Sequence, residues 1–176
     1  MIKGKGRVTL KPQDIVFLVD TREQTPLDFS KIPNREMFRV ERASLVTGDY
    51  SVRGLQDSEI CIERKSLPDL LACVGRERER FEKELLRMRA FPCRLVVVEA
   101  TWQEMTEGDW RSQITPAQLI GSVMRYMTWG IPFFFARDRA EAAKFVANYM
   151  WLHTQTCYNR LRAFHNNLAL IKEAPL

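Results

Sequence analysis

The sequence predicts an α/β sandwich with a central mixed sheet, and three observations carry that prediction. The first half holds short β-branched and apolar runs broken by polar turns, the mark of strands and hairpins. The second half alternates between helical and strand patterns, which places helices on the faces of a sheet. Leu95-Val96-Val97-Val98 is a continuous apolar run of the kind found in strands buried on both faces. A length of 176 residues suits one domain with a sizeable core.

Residues 1–13 carry Lys3, Lys5, Arg7 and Lys11 with two glycines and read as a basic N-terminal arm, either a frayed end or a DNA-contacting segment. Strands are expected at 15–20, 37–43, 49–54 and 58–65. Gly54-Leu55-Gln56-Asp57 is turn-like and joins the last two into a hairpin. Ser66 caps a helix reaching about Ala90, with Pro68 tolerated in its first turn. Leu70, Val74, Phe81, Leu85 and Met88 form its apolar stripe, and Gly75 marks a kink or a short loop. After the 95–99 strand, residues 100–113 read as a polar loop. Thr115-Pro116-Ala117-Gln118 opens a helix to about Trp129. Ile131 to Ala136 forms a strand, and Asp138-Arg139-Ala140-Glu141 opens a last helix to residue 165. Residues 166–176 then form a C-terminal tail.

Composition narrows the class. A net charge of +5 favours an anionic partner. No run is long enough to span a bilayer, and no apolar signal-peptide core opens the chain, so a membrane role is not expected and the cytoplasm is. Cys61, Cys73, Cys93 and Cys157 are widely spaced and read as reduced core thiols; His153 and His165 lack a zinc-ligand spacing.

The chemistry concentrates at Glu63-Arg64-Lys65. Residues two apart on a strand share a face, so Glu63 and Lys65 point one way and Arg64 the other. Asp20 ends an apolar run and Asp49 follows Gly48. Three carboxylates and a lysine that converge suit a hard divalent cation, Mg2+ or Mn2+, and a phosphate. Asp20, Asp49 and Glu63 are the expected metal ligands, and Lys65 the expected phosphate and water contact.

At these residues the chain resembles the XPF/MUS-type endonuclease domain of the PD-(D/E)XK superfamily. Val19-Asp20-Thr21-Arg22-Glu23, Gly48-Asp49-Tyr50 and Glu63-Arg64-Lys65-Ser66-Leu67-Pro68-Asp69 resemble its VDxRE, GDY and ERKxxxD motifs, in its order. The resemblance covers roughly residues 14–155, in a nuclease domain spanning 14–165. It implies a restriction-endonuclease-like α/β/α sandwich, metal-dependent DNA hydrolysis leaving a 5′-phosphate and a 3′-hydroxyl, and a carbonyl ligand from Arg64. Glu23 fits a further ligand or a support for the site. Arg22 fits a phosphate contact or a salt bridge, and Arg64 and Asp69 fit support roles. Tyr50 is expected to pack. The family commonly adds a helix-hairpin-helix domain, for which too few residues follow 165. Junction targeting is then expected from a separate partner.

Arg76, Arg80, Lys83 and Arg87, at spacings of four, three and four, make one helical stripe able to track a DNA backbone. Interleaved Glu77, Glu79, Glu82 and Glu84 allow the opposite reading, a self-neutralised face. The last helix is apolar over a wide arc, with Val146, Tyr149, His153 and Cys157 on one side, and suggests a homodimer interface. The first reading is a metal-dependent DNA endonuclease acting on branched, flap or fork DNA, nucleoid-associated or, in a eukaryote, nuclear. The alternatives are a non-catalytic DNA-binding scaffold subunit of a nuclease heterodimer, and a nuclease of the same superfamily acting on RNA or as an exonuclease.

Overall fold

The computed structural model describes residues 9–32 and 38–173. Six strands form one mixed sheet: β1 (Val16–Asp20), β2 (Arg39–Ala43), β3 (Tyr50–Val52), β4 (Ile60–Ser66), β5 (Cys93–Glu99) and β6 (Phe133–Phe135). Their order is β2-β1-β3-β4-β5-β6. β1 runs antiparallel to β3, and β3 antiparallel to β4, which is the expected hairpin. The β1–β2, β4–β5 and β5–β6 pairs are parallel.

Side-chain alternation along the strands sorts the core into two layers. Phe17, Val19, Ile60, Ile62, Leu95 and Val97 point to one face, where α5 (Arg139–Glu173) covers them with Ala142, Val146 and Met150. Cys61, Val96 and Val98 point to the other. There α1 (Leu67–Val74), α2 (Arg78–Met88), α3 (Trp102–Glu107) and α4 (Pro116–Thr128) bring Leu70, Phe81, Leu85, Met105, Leu119 and Val123. The result is the expected α/β/α sandwich. β5 lies inside it, with Leu95 to Val98 buried as their continuous apolar run requires.

Four boundaries differ from the sequence expectation. The helix expected from Ser66 to Ala90 is two helices, because the chain breaks at Gly75 and turns before Arg78. The loop expected at 100–113 contains α3, whose N-terminus is a capping box: Thr101 Oγ1 accepts from Glu104 N at 3.1 Å, and Glu104 Oε2 accepts from Thr101 N at 2.6 Å. The last helix runs to Glu173, through the segment expected as a tail, because 166–173 holds good helix formers and neither glycine nor proline. Pro12–Asp14 forms a 3-10 turn across the end of the expected basic arm, whose residues 1–8, like Met37 of the second expected strand, lie outside the described residues.

Ser66 caps α1 as its sequence position suggests, its Oγ accepting from Asp69 N at 3.2 Å. Cys61, Cys73 and Cys93 are free and buried, and Cys157 is free and half-buried. Among the described residues no helix is long and apolar enough to cross a membrane.

Candidate active site

Three strand ends build the site. β4 turns Glu63 and Lys65 toward the α1/α2 side, in line with Cys61, and turns Arg64 toward the α5 side, in line with Ile60 and Ile62. Gly48 presses the preceding loop against β4: its φ is +78°, and a Cβ there would lie 2.7 Å from Cys61 Sγ and 2.9 Å from the Ile62 carbonyl oxygen. Only glycine fits that approach. Asp49 N then donates to the Ile62 carbonyl at 2.7 Å, and Asp20 N donates to the Asp49 carbonyl at 2.8 Å. Asp49 is thereby fixed between β1 and β4.

Glu63 is 2 % exposed. Its Oε1 accepts from the Lys65 ammonium, while its Oε2 is buried with no hydrogen-bond partner among the described residues. Burial pushes the Glu63 carboxyl well above the usual range, and the nearby Asp49 carboxylate pushes it further. Burial also raises Asp49, to about 6, against the pull of the Arg64 N–H that donates to its Oδ2 at 2.8 Å. Burial opposes the charge on Lys65, yet the Glu63 carboxylate outweighs it and holds the pKa above its ordinary value. The ammonium also lies 5.4 Å from the centre of the Phe81 ring on α2. Buried Glu63 therefore pairs with Lys65 beside half-buried Asp49, and one Glu63 oxygen is left open among the described residues. This donor set fits a hard divalent cation, which would satisfy Glu63 Oε2 and lift the mutual repulsion.

The remaining expected residues already have protein partners. Asp20 is buried, but both of its oxygens are already engaged. Oδ1 accepts from Arg22 N at 2.8 Å and Arg22 Nε at 2.7 Å, and Oδ2 accepts from Leu45 N at 2.7 Å and Arg22 Nη2 at 3.1 Å. Burial works against its charge, but these donors win and its pKa is lowered. Arg64 makes a two-pronged bond to Glu99, at 2.7 and 3.2 Å, and its Nη1 reaches Glu23 Oε2 at 3.3 Å. Glu23 thus faces Arg64, with its Oε1 accepting from Thr25 N at 2.8 Å. Asp69 is exposed and exchanges hydrogen bonds with Ser66 at the start of α1. Tyr50 is fully buried; its hydroxyl accepts from Leu27 N at 2.9 Å.

The basic stripe is interrupted. Arg80, Lys83 and Arg87 are on α2, but Arg76 lies in the connection before it, and both Arg76 and Arg80 pair with Glu77. Trp110 pins the loop after α3, its indole N–H donating to the Ile114 carbonyl at 2.7 Å. Trp102 meets Phe135 edge to face at 5.4 Å and is 43 % exposed.

One acid escapes the sequence reading. Glu84 on α2 is half-buried and acts electrostatically on both Asp49 and Glu63. The available signal was its place beside the apolar stripe, three residues after Phe81 and one before Leu85, which turns it toward the sheet.

The site and its frame fall within residues 19–149, which match the sequence model of the ERCC4 domain. The chain belongs to that family. Its fold is similar to XPF from Aeropyrum pernix, with a TM-score of 0.62 and 20 % identity over 79 % of this chain. It is also similar to XPF from Aeropyrum pernix in complex with DNA, with a TM-score of 0.55 and 19 % identity over 80 % of this chain. The chain spans 61 % of the first of these and 66 % of the second. No curated protein matches it.

Proposed function

We propose that this chain is a divalent-metal-dependent DNA endonuclease that hydrolyses phosphodiester bonds in branched, flap or fork DNA. The observation that carries the reading is the buried, unpartnered Glu63 Oε2 beside Asp49 and Lys65. The ERCC4 family match and the DNA-bound XPF of similar fold support DNA as substrate. Full complements of Asp20, Asp49, Glu63 and Lys65 argue against a scaffold that has lost its chemistry.

Asp49 and Glu63 would hold Mg2+ or Mn2+, with Asp20 joining once Arg22 gives up one of its oxygens. When bound, the cation supplies Lewis-acid stabilisation of the charge that builds on the phosphoryl oxygens. Lys65 is held charged on the same face. It meets a non-bridging phosphate oxygen and orients the attacking water toward phosphorus. Arg80, Lys83 and Arg87 lie along the next helix, where they contact flanking phosphates. The sequence carries no recognition-helix or zinc-finger signature, which favours DNA shape over sequence. The Val146, Tyr149, His153 and Cys157 side of α5, expected as the homodimer interface, packs against the chain's own sheet and Glu59, so the pairing of two copies is proposed instead through Leu152, Leu161 and Phe164, which are exposed on that helix. Sedimentation of a strict monomer at micromolar concentration would remove the dimer.

Labelled flap, fork, bubble, single-stranded and duplex DNA, incubated with Mg2+ or Mn2+, test the main proposal. Cutting near a junction is expected, with loss of at least about a thousandfold in Glu63→Gln while DNA binding persists. Undiminished cutting by Glu63→Gln would sink the site; binding without cutting in the parent favours the scaffold reading.

A further inference from the structure

Away from the carboxylate site, the fold assembles a second set of metal-ligating side chains. His153 and Cys157 are four apart on α5 and project from the same face on successive turns. Glu59, at the end of the β3–β4 turn, reaches the same point. Its Oε2 is 3.1 Å from His153 Nε2 and 3.7 Å from Cys157 Sγ. The three donor atoms lie within 4.8 Å of one another, and all three residues are half-buried. Cys93, buried at the start of β5, adjoins them. Its N–H donates to the Glu59 carbonyl at 2.9 Å, and its thiol feels both Glu59 and Cys157. The spacing in sequence hides this set, because Glu59 and His153 are 94 residues apart.

We infer that Glu59, His153 and Cys157 form a binding site for a zinc-type cation. The ligand types select the ion: a thiolate and an imidazole suit Zn2+ or Co2+, while Mg2+ prefers oxygen alone. Zinc bonds of about 2.0–2.3 Å in tetrahedral geometry put neighbouring ligand atoms about 3.3–3.7 Å apart. The two distances from Glu59 are close to that span already, so side-chain adjustment suffices. The cluster supplies three protein donors, and solvent fills the fourth position. Binding converts the Cys157 thiol to a thiolate and releases its proton to solvent.

The location defines what the ion does. Glu59 precedes β4, four residues and about 13 Å along the strand from Glu63. A cation there is too distant to touch a phosphate held at Glu63. It fastens α5 to the starts of β4 and β5, at the opposite end of the strands from the chemistry, and stabilises the fold. The chain thus separates two metals by chemistry: a hard ion on carboxylates at one end and a softer ion on mixed ligands at the other.

Co2+ titration tests this in the full chain carrying Asp49→Asn and Glu63→Gln, which silences the carboxylate site. A thiolate-to-cobalt absorption band is expected to rise to one equivalent and to vanish on adding Zn2+. Cys157→Ser should abolish the band, and His153→Gln should weaken Co2+ binding at least about tenfold. Zn2+ should raise the melting temperature of the parent but not of Cys157→Ser. Absence of the band in the parent, or a band unchanged in Cys157→Ser, would overturn the proposal and leave a simple His153–Glu59 ion pair. Should Cys157→Ser fail to fold, the parent band together with His153→Gln decides.

Discussion

The two faces of β4 carry opposite electrostatic solutions one residue apart. On the α5 face, Arg64 is 9 % exposed in its side chain and is matched by Glu99 and Glu23, with hydrogen bonds to both. Arg139 adds a further contact to Glu99 at 3.6 Å. On the other face, Glu63 pairs with Lys65 beside Asp49, and one Glu63 oxygen has no hydrogen-bond partner among the described residues. A saturated cluster has nothing left to offer a ligand and holds the sheet together. An unsaturated one keeps a binding capacity that folding alone does not consume, at a cost in stability. The two differ in their partners, since the backbone that presents them is the same.

The sharpest way to break this contrast is Arg64→Ala. It leaves buried Glu23 without its cation and half-buried Glu99 with only the longer Arg139 contact, so a loss of about 3 kcal/mol is expected, roughly 10 °C in melting temperature. Lys65→Ala should cost far less, because Glu63 responds by taking up a proton. Denaturant melts of the two variants check this; equal losses would mean that the faces are not different in kind.

Asp49→Asn sharpens the same point with the sign reversed. The folded-state pKa of Asp49, about 6, exceeds its ordinary value of 3.8. The folded state therefore holds the proton more tightly, and that stabilisation is complete below pH 3.8 and lost as pH rises through about 6. In metal-free buffer the asparagine variant should be more stable than the parent by about 3 kcal/mol at pH 8, with the gap closing near pH 4. Mg2+ should narrow the gap by stabilising only the parent. A less stable asparagine variant at pH 8 would contradict the picture of a strained, cation-ready pair.

The smallest effect belongs to the surface. Arg80→Ala removes an exposed pair with Glu77, so stability should stay within measurement error. DNA affinity should fall evenly across sequences and depend less steeply on salt. Fluorescence anisotropy over a salt series, using an inactive Glu63→Gln background, reads this directly. An unchanged slope would assign the arginine to helix α2's own charge balance.

The contrast also explains what was legible in the sequence. Alternation along β4 gave the directions of Glu63, Arg64 and Lys65, because period two is a local property of a strand. The burial of β5 followed from its unbroken apolar run. What was not legible depended on distant partners. Arg64 meets Glu99 and Glu23 across 35 and 41 residues, and Glu84 approaches the site only because α2 folds over β4. Asp20 was read as an open ligand, whereas its local turn lets Arg22, two residues on, close around it. The helix α3 was missed although Thr101 and Glu104 spell a capping box, because the surrounding polar composition outweighed a six-residue signal.

The strand β2 closes one side of the sheet with a mostly exposed row, Arg39, Val40, Glu41 and Arg42. Its outer backbone groups would template a strand from another molecule if the side chains were apolar. The charged residues act as gatekeepers instead: an added strand would have to stack on alternating positive and negative groups, one of them, Glu41, already tied to Arg53. Edge-to-edge pairing with another sheet is thereby discouraged along β2.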